Sequence, residues 1–89
     1  MNKARRTRLQ EVVSKLEELD SLRCEAMEML SEINDEEQEA HDNMPESVQY
    51  SEKGEQMQEY IDSMQSVFDD LDSVDVSGWI DTLNEIIGG

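Results

Sequence analysis

The chain carries little with which to do covalent chemistry. It has one cysteine, Cys24, and one histidine, His41, 17 positions further on. On one straight helix those two would stand about 25 Å apart, too far to form a nucleophile and base pair. A lone cysteine excludes an internal disulfide and a cysteine-rich zinc site, and fits a reducing compartment. Glu37 lies one turn before His41, but two ligands do not make a metal site and no second histidine follows. The acids Asp69, Asp70, Asp72 and Asp75 fail as a calcium loop, because Val74 stands where an oxygen ligand is needed. The four glycines, Gly54, Gly78, Gly88 and Gly89, form no phosphate-cradling loop. No run approaches the ~18 apolar residues of a spanning helix. The basic start leads into Gln10 and Glu11 instead of an apolar signal core, so a cytoplasmic chain is expected. These absences point to a protein that is not an enzyme and needs no cofactor or metal.

Bases are scarce too. Seven Lys and Arg face 23 acids, for a formal net charge of −16. The distribution is uneven: Lys3, Arg5, Arg6 and Arg8 give the first eight residues +4, and the remainder carries −20. A surface so negative repels nucleic acid and favours basic partners. Four cations at the start of a helix oppose its dipole, which predicts fraying over Met1 to Arg6 and acids nearby, from the C-terminal third or a second subunit.

What the chain does have is a heptad repeat. With Leu9 as a, the a and d positions read Leu9, Val12, Leu16, Leu19, Arg23, Ala26, Leu30, Ile33, Glu37, Ala40 and Met44, of which nine are apolar. That spacing suits a helix packed lengthwise against other helices. Leu22, Met27 and Met29 widen the seam at its middle, enough for more than one helical neighbour. Helix 1 is expected over about 7–42 and a turn over 43–50, where Pro45 cannot continue the helix and Ser47 and Ser51 are candidate caps. A second helix is expected over about 51–74, with Met57, Ile61, Met64, Phe68 and Leu71 on its seam and Tyr60, Val67 and Val74 beside them. A third, about 78–87, should lie beside the first half of helix 1, with Trp79 closing the core. The fold class is therefore all-α: one domain, 1–89, as an antiparallel coiled-coil-like hairpin with a short C-terminal helix, dimerising into a bundle because so small a chain buries little core alone.

The outward face carries the functional expectation. Glu25, Glu28, Glu32, Asp35, Glu39 and Asp42, with Glu36 alongside, follow one another at three- and four-residue steps with no base among them. Like charges at those steps cost about 0.2 to 0.5 kcal/mol per pair, and a merely structural helix would mix in lysines. On helix 2, Glu59, Asp62 and Asp69 point outward as well. The −20 spread over ~50 Å of helix approaches the one charge per ~1.7 Å of duplex DNA. The expected function is a small acidic binder that blocks a basic, nucleic-acid-binding surface of another protein, as a DNA mimic. The alternative is a structural coiled-coil adaptor whose acids only solubilise it.

Residues Glu36, Glu37, Gln38, Glu39, Ala40, Asp42, Asn43, Pro45, Glu46, Ser47, Gln49, Ser51, Glu52 and Gly54 carry a pattern that resembles short bacteriophage and prophage proteins. The resemblance implies a phage origin and a helical hairpin, and no activity of its own; with that origin the expected target is a basic surface of a host protein in the host cytoplasm, and the expected role that of a DNA mimic or anti-defence inhibitor. The same residues also suit a helix connector.

Overall fold

In a computed structural model, residues 1–89 form four α-helices and no strand: α1 (Lys3–Asp42), α2 (Glu46–Gln49), α3 (Glu52–Asp72) and α4 (Val76–Gly88). The fold is all-α, and no helix is long and apolar enough to cross a membrane. Two compact units make up the chain, residues 1–25 with 74–89 and residues 26–73, and α1 contributes to both.

The start of α1 departs from expectation. The backbone N–H of Arg5 donates to Asn2 Oδ1 at 2.9 Å, and that of Arg6 to the Asn2 carbonyl at 3.2 Å. Asn2 is thus an N-cap satisfying an otherwise orphaned donor. Instead of fraying through Arg6, the chain is helical from Lys3.

The heptad is present, yet its inward line differs from the a/d reading. Apart from Ser31 and Gln38, the residues of α1 that are at least half-buried are Arg6, Leu9, Val13, Leu16, Asp20, Arg23, Met27, Leu30, Asn34, Glu37 and His41. These are a and e positions. Val12, Leu19 and Ile33, at d, are exposed, as are Ala26 and Ala40. A repeat of 3.5 is common to a/e, a/d and d/g pairs, so spacing alone does not choose between them. On a helical wheel of 100° per residue, three stripes follow: a/e inward near 20°, c/f acidic near about 170° and d/g apolar near about 270°.

In the first unit, Val13 and Val76 are the buried apolar residues, with Val76 only 1% exposed, and Asp20 and Arg23 pair at 2.9 Å on the inward line of α1. Trp79 is half exposed, so Val76, not the tryptophan, fills this core. The reason is register: α4 begins at Val76, capped by Asp75, whose carboxylate accepts from Gly78 N at 2.9 Å. Its inward residues are then Val76, Ile80, Leu83 and Ile87, leaving Trp79 and Ile86 one step off that line.

In the second unit, Ile61 is the buried apolar side chain, flanked by half-buried Met57, Met64, Phe68 and Leu71, while Tyr60 and Val67 are exposed. A small cavity of about 60 Å³ is lined by Leu30, Ser31, Asn34 and Asp35 of α1 and Met64, Gln65 and Phe68 of α3. The connector between those helices is built from the stretch that carries the phage-like pattern. Pro45 caps α2, its carbonyl accepting from the N–H groups of Val48 and Gln49. Gln49 Nε2 donates to the carbonyls of Met44 at 3.0 Å, His41 at 3.2 Å and Asp42 at 3.3 Å, which ties off the C-terminus of α1. Ser51 caps α3, donating its hydroxyl to the Val48 carbonyl and accepting from Gly54 N. Gly54 is buried because the chain passes over it: a Cβ there would overlap the Gln49 carbonyl and stand 2.5 Å from that of Val48.

The Gln49 fork yields a direct test. Gln49→Ala removes the side-chain donor from the Met44 and Asp42 carbonyls, while the His41 carbonyl keeps the Met44 N–H at 3.2 Å, and a loss of about 1 to 2 kcal/mol is expected. Thermal unfolding followed by far-ultraviolet circular dichroism should show a fall in Tm of several degrees.

Candidate functional site

All ten acids of the expected contact surface, Glu25, Glu28, Glu32, Asp35, Glu36, Glu39 and Asp42 on α1 and Glu59, Asp62 and Asp69 on α3, are exposed. None is bridged by a lysine or arginine. The ion pairs elsewhere are Lys15 with Glu18 and Arg23 with Asp20, and the contact of His41 with Asp42 is long, at 3.9 Å. The expectation that the N-terminal bases meet acids of the C-terminal third is not met: Lys3, Arg5, Arg6 and Arg8 take part in no ion pair within the chain.

The local order of the strip comes from neutral amides. Gln38 Nε2 donates to Asp42 Oδ1 at 3.0 Å, Gln58 to Asp62 at 2.9 Å and Gln65 to Asp69 at 2.9 Å, each four residues ahead. A glutamine at that spacing stabilises a helix by a few tenths of a kcal/mol, as a lysine would, and leaves the carboxylate's charge in place. The signal was in the sequence as Gln-x-x-x-Asp, repeated three times. Asp35 of α1 and Gln65 of α3, the partner of Asp69, border the same small cavity.

The residues expected on one helix-packing seam separate into two sets. Leu9, Leu16, Leu30, Met57, Ile61, Met64, Phe68 and Leu71 are buried or half-buried; Val12, Leu19, Ile33 and Trp79 are exposed. The exposed α1 members continue through Leu22 (62% exposed) and Met29 (63% exposed), so Val12, Leu19, Leu22, Ala26, Met29 and Ile33 form one apolar stripe. Near its start lies an open groove of about 730 Å³, lined by Leu9, Val12, Leu16 and Leu19 with Arg5, Arg8 and Lys15 among its polar members.

No three side chains of the His, Cys, Asp and Glu types come together as a metal site. Arg6 Nε, Asn34 Oδ1 and His41 Nδ1 are buried atoms without a hydrogen-bond partner, all on the inward line of α1. Cys24 is exposed.

These features define a class, an acidic all-α protein whose long helix shows one carboxylate face and one apolar face to solvent. No protein-family model, no curated protein and no solved structure matches the chain.

Proposed function

We propose that this chain is a small acidic protein of phage type that occupies a basic, nucleic-acid-binding surface of a host protein in the cytoplasm. Residues 26–72 would act as an antiparallel helical hairpin presenting Glu28, Glu32, Asp35, Glu36, Glu39 and Asp42 of α1 beside Glu59, Asp62 and Asp69 of α3. The hairpin reading is supported by the cavity that α1 and α3 line together. The observation that carries the functional reading is that ten exposed carboxylates meet no lysine or arginine, three of them being braced by a neutral glutamine instead. Such a surface speeds encounter with a positive patch and disfavours wrong partners.

The test is capture from host lysate by the wild-type chain and by a Glu28→Lys, Glu32→Lys, Asp35→Lys variant, at about 50 and about 200 mM salt. Wild type should retain a basic protein at low salt, release it at high salt and lose it to added duplex DNA. The variant should retain none. Equal capture by both, or capture indifferent to salt and DNA, sinks the proposal and favours a coiled-coil adaptor.

A further inference from the structure

We infer that the exposed apolar stripe of α1 is covered by the same stripe of a second copy, the two helices running antiparallel. This goes beyond the acidic-strip reading and does not rest on it, because the stripe and the strip occupy different faces of α1.

Two observations commit the stripe to this occupant. First, Val12, Leu19, Leu22, Ala26, Met29 and Ile33 are exposed and, with Lys15 between Val12 and Leu19, keep the three- and four-residue steps of a knobs-into-holes seam. Second, the charge along α1 complements itself when reversed. Residues 1–15 hold five bases and one acid; residues 28–42 hold seven acids and no lysine or arginine. In a parallel pair like would face like at both ends.

The register follows from the stripe. In an antiparallel seam each d residue meets a g residue, which allows paired numbers summing to 41 or 48, either side of the 45 of full α1 overlap; a sum of 41 keeps Glu36 off Val12 and sets it against Arg5. Leu19 then faces Leu22 of the second copy across the two-fold axis, Val12 faces Met29, Ala26 faces Lys15, Ile33 faces Arg8, and Arg5 faces Glu36. Arg5 and Arg8, unpaired within the chain, gain the second copy's acidic end. Glu18 and Glu25 approach each other near the axis, a local repulsion that the two ends must outweigh.

The test is the mass in solution of the full chain at about 100 μM, a concentration above the micromolar range of modest self-association. Wild type should run at about twice 10.3 kDa. A Leu19→Glu, Leu22→Glu variant should run as a monomer with unchanged helicity, since both residues are exposed. Arg5→Glu and Glu36→Arg should each weaken association at least about tenfold, and the double change should restore it. In a Cys24→Ser background, Val12→Cys mixed with Met29→Cys should cross-link on oxidation, and Val12→Cys alone should not. A monomeric wild type, a dimer that survives both glutamates, a higher oligomer, or self-cross-linking of Val12→Cys overturns the inference. So does a monomer whose groove takes a fatty acid instead.

Discussion

Replacing Gly54 with alanine should lower the stability of the second unit by about 1 to 3 kcal/mol, in a helix where alanine would ordinarily be the better residue. A new Cβ meets two backbone carbonyl oxygens, those of Gln49 and Val48. Neither can swing aside as a flexible side chain would. The Val48 carbonyl already accepts from Ser51 N at 3.0 Å and from the Ser51 hydroxyl, so moving it loosens the cap of α3. Alanine's higher helix propensity offsets up to about 1 kcal/mol and does not reverse the sign. For a domain of this size each kcal/mol moves Tm by roughly 4 to 8 °C, which thermal unfolding followed by circular dichroism resolves easily. Gly88→Ala is the control, since nothing lies within 4 Å of its Cβ position. It should stay within about 0.5 kcal/mol of wild type. Equal behaviour of the two variants would contradict the close approach at Gly54.

A larger effect is expected at Ile61, where alanine should cost about 2 to 5 kcal/mol. Ile61 is 6% exposed and is the only buried large apolar side chain of residues 26–73. Proteins of 89 residues hold about 5 to 13 kcal/mol in all, so this one truncation removes a large share of what keeps the unit folded. Amide hydrogen exchange is the sharper measurement. Protection should fall across α3 and the 26–42 part of α1 together, if both lean on the same side chain. Val67→Ala, six residues on and half exposed, should leave protection nearly unchanged.

The helices and the acidic face could be read from the chain because both depend on local spacing. Ser51 as a cap followed from its hydroxyl and the acid after it. The inward line of α1 could not be read so directly. Leu9 and Leu16 belong to it under any choice, but whether Val12 or Val13 joins them depends on which neighbouring residues the helix meets. The same limit explains Trp79, whose size suggested a core plug until the register of α4 gave that place to Val76. Gly54 and Gln49 were hidden for a different reason. A glycine near a helix start looks like a weak point until the carbonyls above it are located, and a glutamine gives no sign of reaching back eight residues. The cap at Asn2 went unforeseen because the four cations that follow it predicted fraying, although asparagine is a preferred capping residue.

The glutamine braces of α1 and α3 separate two properties that a lysine-braced helix would bind together. A neutral amide bonded to a carboxylate is a short-range contact and is little affected by dissolved ions. The field of the bare carboxylates reaches outward only as far as the Debye length, ~10 Å at 0.1 M and ~3 Å at 1 M. Raising ionic strength should therefore dim what a distant molecule senses while the backbone beneath keeps its order, so that the medium sets how far the surface can be felt.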